Sequence, residues 1–240
     1  MQIQIKEIAK TKKAIKPFIN FAWKIYAEDA NWVPPLKLRQ QDFLLKHPFF
    51  QHSQVAYFMA FDEKNEPIGR IAAIHNTRHN ETHNENIGFF GFFECIDSQQ
   101  VANKLLQTAA DWLKQRGLVA MRGPANFSLN DECGLLVENF DEPPVLMMTY
   151  NPSYYIRLIE NFGMHKEKGL LAITLAQSDA NYERMRRGAA LVKKRYNAVV
   201  RSLNPHKFDE EVNRIKALYN AGWEQNWGFV KFTDSEFSHL

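Results

Sequence analysis

The feature that most constrains the fold is a strand that is apolar on both faces. Residues 87–96 read IGFFGFFECI, which contains four phenylalanines. With the two-residue period of a strand, Phe89 and Phe93 would share one face, and Phe90 and Phe92 the other. A strand of this kind lies inside a sheet that is covered by helices on both sides. The chain is therefore expected to build an α/β structure around this central strand.

The flanking patterns predict the rest of a mixed sheet. Short apolar runs predict further strands over 3–8, 55–61, 68–74, 119–122 and 169–175. Apolar residues at helical spacing predict helices over 18–25, 37–46, 97–116 and 153–162. The order is β-α-α-β-β-β-α-β-loop-α-β, which is an α/β arrangement. In such a sheet, the strands over 87–96 and 119–122 are expected to be parallel neighbours.

The pattern restarts after residue 177. An amphipathic helix is predicted around 185–196, then a strand over 198–203 and a helix over 208–219. The pair Asn226-Trp227 repeats Asn31-Trp32 at a similar distance from the preceding strand. We therefore predict one complete domain over 1–177, followed by a linker helix and the beginning of a second, incomplete domain over 178–240.

Composition excludes several classes of protein. The net charge is only +3, but residues 184–207 carry eight Lys and Arg side chains and no acid. Such a stretch either binds phosphates or forms a solvated helix face, and the second is more common, so nucleic acid is not an expected partner. No apolar run is long enough to span a membrane, and no signal segment is evident. Two cysteines give no disulfide framework, which indicates a reduced, cytoplasmic protein.

A crowded polar segment follows the strand over 119–122 and is the best candidate for a substrate site. Glu132 is the candidate general base, since a protonated nucleophile must lose its proton before or during attack. The alternative is a tight turn whose side chains bond their own backbone. Cys133 has no basic neighbour to stabilise a thiolate. The candidate substrate-binding residues are Asn126, Ser128, Asn130, Asp131, Cys133, Tyr150, Asn151 and Tyr154.

A histidine repeat raises the question of a metal site. His75, His79 and His83 recur at every fourth residue, and on a helix they would share one face. The segment has no apolar stripe and is rich in Asn. It is therefore predicted to be an exposed hairpin loop, and no metal site is expected.

Several runs together resemble the GNAT superfamily of acyl-CoA-dependent N-acyltransferases, and more closely a bacterial group with two GNAT-like halves. The resemblance spans most of the chain. The runs are Asn31–Leu36, Pro48–Phe50, Gly69–Ala73, Gly88–Glu94, Gly123–Val137, Tyr150–Tyr155 and Asn226–Val230. It implies a mixed central sheet flanked by helices, an acyl-CoA cofactor, a small-molecule amine substrate, and the chain's own second half as a partner.

The resemblance also assigns a cofactor site. GNAT enzymes hold the pantetheine arm of acyl-CoA against the central strand, which here points to Phe93, Cys95 and Ile96. The pyrophosphate would lie where the next helix begins, at a glycine-rich loop. The matching positions start with Asp97 and contain no glycine. Two functions therefore stay open. One is an N-acyltransferase, and the other is a non-catalytic GNAT-like ligand-binding or pairing domain that supports an active second half.

Overall fold

The computed structural model describes residues 2–174 and 182–239, and a five-stranded sheet forms the core of its larger unit. Neighbouring strands are antiparallel, except for the parallel last pair. The strands are β1 Gln4–Ile8, β2 Ser53–Phe61, β3 Pro67–Asn76, β4 Ile87–Cys95 and β5 Ala120–Arg122. This mixed sheet confirms the predicted α/β class and the parallel pairing of its last two strands.

Helices cover both faces of the sheet. Across the described residues, the α-helices of the chain as a whole are α1 Lys12–Ile25, α2 Lys37–Lys46, α3 Thr77–His83, α4 Gln99–Lys114, α5 Tyr154–Asn161, α6 Tyr182–Tyr196, α7 Phe208–Trp223 and α8 Asp234–His239. The apolar sides of α1 and α2 pack on one face, and those of α4 and α5 pack on the other. Helix α1 begins after Thr11, whose hydroxyl accepts a hydrogen bond from the Ala14 N–H at 3.2 Å. Both layers follow from the amphipathic patterns.

A β-bulge in β4 changes which faces its phenylalanines occupy. The β3–β4 register shifts by one residue, next to Phe92, whose φ of 49° lies in the left-handed region. Phe89 and Phe92 therefore pack on the α1 side, and Phe90 and Phe93 on the α4 side. The predicted pairing of Phe89 with Phe93 is wrong because one extra residue inverts the alternation beyond it.

Three other segments differ from their predicted structure. The expected exposed loop after His75 contains α3, and His79 within it is only 1% exposed. The strand predicted over 198–203 is not formed, since these residues are irregular and exposed. The same is true of residues 169–174 in the strand predicted over 169–175, of which residue 175 lies outside the described residues. An extended segment becomes a strand only when a neighbouring strand takes its backbone hydrogen bonds.

The chain divides into two compact units. The larger unit comprises Met1–His165 and Gly222–Leu240, and the smaller comprises Lys166–Ala221. In the larger unit, the C-terminal segment contributes the buried pair Phe229 and Val230. In the smaller unit, α6 is exposed along its described length, basic side chains included. That exposure agrees with the solvated helix face that the basic stretch predicts.

Candidate functional site

The carboxylate of Glu94, near the end of β4, is a charged group placed inside the apolar sheet. The residue is only 9% exposed. Its Oε2 accepts a hydrogen bond from the Tyr155 hydroxyl of α5 at 2.7 Å and another from the Tyr26 hydroxyl at 3.0 Å. Tyr26 directly follows α1. Glu94 therefore links the helical layers on the two faces of the sheet.

Arg70 supplies the counter-charge. It is directly opposite Glu94 in the β3–β4 pairing, and its Nη2 is 3.5 Å from Glu94 Oε1. Its Nη1 donates to the Phe18 carbonyl at 2.7 Å, and its guanidinium lies 5.0 Å from the centre of the Phe18 ring. Its Nε has no hydrogen-bond partner among the described residues. Because Arg70 is 8% exposed, Glu94 and these backbone contacts replace most of its hydration.

Glu94, Arg70, Tyr26 and Tyr155 form a buried group that we call the Glu94 cluster. Burial has the largest effect on the pKa values of its acid and its two tyrosines. Loss of water raises the pKa of Glu94, although Arg70 and the two tyrosine hydroxyls act in the opposite direction. Burial and the nearby carboxylate raise the pKa of Tyr26 and of Tyr155 well above the ordinary value. Both tyrosines therefore stay protonated at neutral pH and act as hydrogen-bond donors.

The predicted cofactor-binding residues Phe93, Cys95 and Ile96 lie at this end of β4. The Cys95 N–H donates to the Tyr155 hydroxyl at 2.9 Å, and the Cys95 carbonyl accepts from the Tyr154 hydroxyl at 2.8 Å. The Ile96 N–H donates to a β3 carbonyl at 3.1 Å. Phe93 is buried against the Tyr155 ring. These main-chain groups are thus bonded within the unit.

The start of α4 is tied to α5. Asp97 forms an ion pair with Arg157 of α5. Gln99 donates to the Leu158 carbonyl at 2.9 Å, and Asn161 donates to Gln99 Oε1 at 3.2 Å. The helix start that the family resemblance assigns to a pyrophosphate therefore carries a carboxylate and is bonded to the neighbouring helix.

The polar segment after β5 forms a small hairpin that lies along β4. Ala125 pairs with Cys133 across the hairpin, and its N–H donates to a β4 carbonyl at 2.8 Å. The Phe92 N–H at the bulge donates to Asn126 Oδ1 at 2.8 Å. A Cβ at Gly91 would lie 1.9 Å from the Ala125 carbonyl oxygen, so only glycine allows this approach.

The hairpin side chains bond mainly within the hairpin. Ser128 Oγ donates to Asp131 Oδ2 at 2.6 Å, and Asn126 Nδ2 donates to Glu132 Oε2 at 3.3 Å. Asn130 instead donates to a carbonyl of the C-terminal segment at 2.6 Å. The tight-turn alternative therefore describes Ser128 and Asp131 well, and Asn130 holds the C-terminal segment. The substrate-binding roles of these residues stay predictions.

The pKa values of the two hairpin acids and of the Cys133 thiol are all raised, with different consequences for the acids and the thiol. Burial raises the pKa of Asp131 to about 6, against the hydrogen bonds from Ser128. Loss of hydration also raises the pKa of Glu132, and the bond from Asn126 opposes it. A carboxylate with a raised pKa can accept a proton near neutral pH. Burial and the Asp131 charge raise the pKa of Cys133, which disfavours a reactive thiolate.

The three predicted substrate residues beyond the hairpin, Tyr150, Asn151 and Tyr154, connect either to the Glu94 cluster or to the chain before α5. The Tyr150 hydroxyl donates to Asp29 Oδ2 at 2.8 Å, and its ring centre is 5.9 Å from that of Tyr26. The Tyr26 ring in turn stacks on Trp32 at 4.8 Å. Asn151 is buried and exchanges hydrogen bonds with the main chain of residue 136. Tyr150 and Tyr154 are thus brought to the Glu94 cluster, whereas Asn151 fixes the backbone.

The histidines of α3 are occupied by other partners. His79 Nε2 is 2.8 Å from Glu85 Oε2, and Glu85 also pairs with Arg122. His83 Nε2 is 3.0 Å from the carbonyl of Phe229 in the C-terminal segment. These histidines therefore join α3 to its neighbours within the larger unit.

Sequence reasoning missed Glu94, Arg70 and Tyr26 as a site. The signal for two of them is visible in the sequence, where a single acid interrupts IGFFGFFEC and a single arginine interrupts PIGRIAAI. A lone charge in a buried strand requires a partner. Tyr26 gives no comparable signal, because a tyrosine at the end of an amphipathic helix is also a normal packing residue.

Two curated bacterial proteins resemble the chain over nearly its whole length, while no protein-family model matches it. Protein YghO of Escherichia coli is 35% identical over 231 residues, which cover 95% of this chain and 58% of that protein. Bacterial ceramide synthase of Caulobacter vibrioides is 33% identical over 238 residues, which cover 96% of this chain and 60% of that protein. The chain thus spans about three fifths of the length of these relatives.

The similar solved structures are acetyltransferases. An aminoglycoside acetyltransferase from a soil metagenome has a TM-score of 0.45 and 10% identity, and covers 72% of this chain and 95% of its own. An aminoglycoside 6'-N-acetyltransferase from Acinetobacter baumannii has a TM-score of 0.44 and 10% identity, and covers 73% and 99%. A GNAT-family acetyltransferase from Staphylococcus aureus has a TM-score of 0.36 and 17% identity, and covers 49% and 69%. Across the described residues, no helix has the length and apolarity to cross a bilayer.

Proposed function

We propose that the chain takes part in the transfer of an acyl group from an acyl-CoA thioester to an amine. The observation that carries the proposal is the similarity, over 96% of the chain, to a protein named bacterial ceramide synthase. A ceramide contains an amide formed on the amino group of a long-chain amino alcohol. Making that amide from a free amine and an activated acyl group is an N-acyl transfer, and the GNAT resemblance of the sequence points to the same reaction.

In this reaction, the amine nitrogen attacks the thioester carbonyl carbon. The carbon–sulfur bond then breaks, the new amide bond remains, and the thiolate takes a proton to leave as free CoA. The amine must lose a proton on the way, so a general base is needed. Glu132 is our candidate for this base, because its raised pKa favours proton uptake. Its carboxylate has lost part of its hydration, but the residue is still exposed on the hairpin, where a substrate could reach it.

We further propose that the unit around β4 supports the reaction without holding acyl-CoA itself. Support comes from the bonds that Tyr154 and Tyr155 make to the main chain of Cys95, where the family resemblance would put the pantetheine arm. Support also comes from Asp97 at the proposed pyrophosphate position, since its carboxylate lies where the phosphate would bind and already takes the neighbouring cation, Arg157, as its ion-pair partner. The acyl-CoA would then bind to a second GNAT-like half in the cytoplasm.

The test has two parts, both with purified protein. Calorimetry of the 240-residue chain with acetyl-CoA and with a long-chain acyl-CoA is expected to show little or no binding. A chimera then replaces the matching three fifths of the Caulobacter relative with this chain. The chimera is expected to release CoA thiol when an acyl-CoA and a long-chain amino alcohol are both present, and to release little when the amine is omitted.

Substitutions in the chimera separate the proposed roles. Glu132→Gln is expected to lower thiol release without changing the melting temperature by more than about 2 °C, since exposed substitutions usually cost under about 0.5 kcal/mol. Glu138→Gln, which removes an exposed acid outside the hairpin, is the matched control. Micromolar affinity of the chain alone for acyl-CoA would overturn the supporting role. A folded chimera that releases no thiol would overturn the acyl-transfer proposal.

A further inference from the structure

A cavity of about 390 Å³ lies away from the Glu94 cluster, at the other end of β2. It is lined by the end of β1, the start of β2 and the region where α4 ends. Along β2, the residue opposite Arg70 is Met59, whereas the cavity is lined by residues 53–56. The cavity is therefore distinct from the candidate site described above.

Two cations, Lys10 and Arg116, line this cavity. Arg116 Nε donates to Gln54 Oε1 at 3.1 Å, and its Nη1 donates to the Trp112 carbonyl at 3.0 Å. Both acceptors are neutral. Within residues 2–174 and 182–239, neither cation comes within 4.0 Å of a carboxylate oxygen. Their positive charges are thus held in place without being neutralised by a direct ion pair.

Aromatic rings hold the two cations instead. The Arg116 guanidinium lies 3.4 Å from the centre of the Trp112 ring, and the Lys10 ammonium lies 4.8 Å from the centre of the Phe50 ring. Ring faces attract cations but leave their charge intact. The rings also give the cavity an apolar surface beside the charges, which is the usual composition of a small-molecule site.

The charge balance in the cavity favours an anion. Partial loss of hydration lowers the pKa of Lys10 and of Arg116, although both residues remain exposed, and the charge of Glu7 acts in the opposite direction on both. Glu7 also lines the cavity. Two cations and one carboxylate leave a net charge of +1. A bound oxyanion would supply the missing counter-charge and would accept hydrogen bonds from both cations.

We propose that this cavity binds a small organic anion. Its oxyanion group, a carboxylate or a phosphate, lies between Lys10 and Arg116, and its apolar body packs on Trp112 and Phe50. The volume is within the range of small-molecule pockets, about 300–1,000 Å³. The site is separate from acyl transfer and does not depend on it.

Calorimetry of the full 240-residue chain tests the site with four probes: phenyl phosphate, benzoate, inorganic phosphate and neutral benzyl alcohol. Phenyl phosphate and benzoate are expected to bind more tightly than inorganic phosphate, and benzyl alcohol is expected not to bind. Lys10→Gln and Arg116→Gln should each weaken binding about tenfold or more, since each removes a charge-assisted contact. Glu7→Gln should strengthen binding because it removes a like charge. Lys13→Gln, an exposed lysine on α1 that does not line the cavity, should leave binding unchanged.

Two outcomes would overturn the proposal. One is that neither organic anion binds at millimolar concentration. The other is that Lys13→Gln weakens binding as much as Lys10→Gln, because the attraction would then be a property of the general surface charge. Lys10 and Arg116 are both exposed, so folding of the variants is expected and is checked by a cooperative thermal transition. The opposite sign expected for Glu7→Gln gives the test a second, independent readout.

Discussion

Removing the Tyr155 hydroxyl should destabilise the larger unit more than the same change at the preceding residue, Tyr154. In Tyr155→Phe, the Cys95 N–H loses its acceptor and Glu94 loses a donor. An unsatisfied buried group costs about 1–3 kcal/mol, and a hydrogen bond to a charged group contributes about 1.5–3 kcal/mol. We therefore expect a loss of about 3 kcal/mol in the free energy of unfolding.

Tyr154→Phe is the matched control. The Tyr154 hydroxyl donates to the Cys95 carbonyl at 2.8 Å, and Tyr154 is partly exposed whereas Tyr155 is 1% exposed. Its removal should cost about 1 kcal/mol, the typical net value of a single hydrogen bond. At roughly 2–4 °C per kcal/mol for a unit of this size, the Tyr155 variant should melt about 4–8 °C below the Tyr154 variant.

Urea unfolding followed by tryptophan fluorescence measures both losses, with thermal scans as a second probe. The denaturant slope should stay the same, which shows that the midpoint reports stability. A double-mutant cycle of Tyr155→Phe with Glu94→Gln should give a coupling of about 1–2 kcal/mol, as expected for direct contact. Equal losses in the two phenylalanine variants, or additive effects in the cycle, would refute the view that the Tyr155 hydroxyl joins β4 to the Glu94 carboxylate.

Two further predictions concern pH. The pKa of Asp131 is raised from 3.8 to about 6, so the folded state holds a proton more tightly than the unfolded state. The free energy of unfolding of the wild type should therefore fall as the pH rises from about 4 to 6. Asp131→Asn should lack this fall when unfolding is measured across that range. For Glu236, burial alone would raise the pKa, but hydrogen bonds from His52 and Thr233 prevail and lower it from 4.5 to about 2. Its stabilisation is present above 4.5, so the wild-type advantage over Glu236→Gln should shrink as the pH falls from 4.5 towards 2; an advantage that stays constant would contradict this.

The sheet was predictable because its signals are local and strong. The doubly apolar run over 87–96, the hairpin before it and the amphipathic helices each have a clear period. The bulge at Phe92 was not predictable in this way, because it depends on Gly91 and on the hairpin that bonds beside it. Helix α3 was missed for a similar reason. Its few residues are polar, and tertiary partners such as Glu85 hold His79 in place.

The candidate site was likewise predictable only in part. The sequence singled out the polar hairpin, and the structure places that hairpin along β4 at the bulge. The sequence did not indicate that Glu94 and Arg70 face each other, because this contact depends on the register of two strands. The bulge moves Glu94 to the α1 side of the sheet, where it meets Tyr26. One extra residue in β4 therefore fixes both the packing of the phenylalanines and the position of the buried acid.

The hydrogen bonds of the Glu94 cluster would weaken the binding of acyl-CoA to this unit. A buried carboxylate keeps the Tyr155 hydroxyl oriented, and that hydroxyl accepts the Cys95 N–H. An incoming thioester carbonyl would need a free main-chain donor of this kind, as in an oxyanion-hole arrangement. To free the Cys95 N–H, the protein would have to move the Tyr155 hydroxyl away, which also breaks the hydrogen bond from that hydroxyl to the Glu94 carboxylate. Losing a hydrogen bond to a charged group costs about 1.5–3 kcal/mol and leaves Glu94 less well solvated. Each tenfold in affinity corresponds to about 1.4 kcal/mol, so this cost alone would weaken acyl-CoA binding by roughly ten- to a hundredfold. The same bonds that stabilise this unit therefore act against its use as an acyl-CoA site, and this cost is the physical basis of our proposal that a second half binds the acyl-CoA.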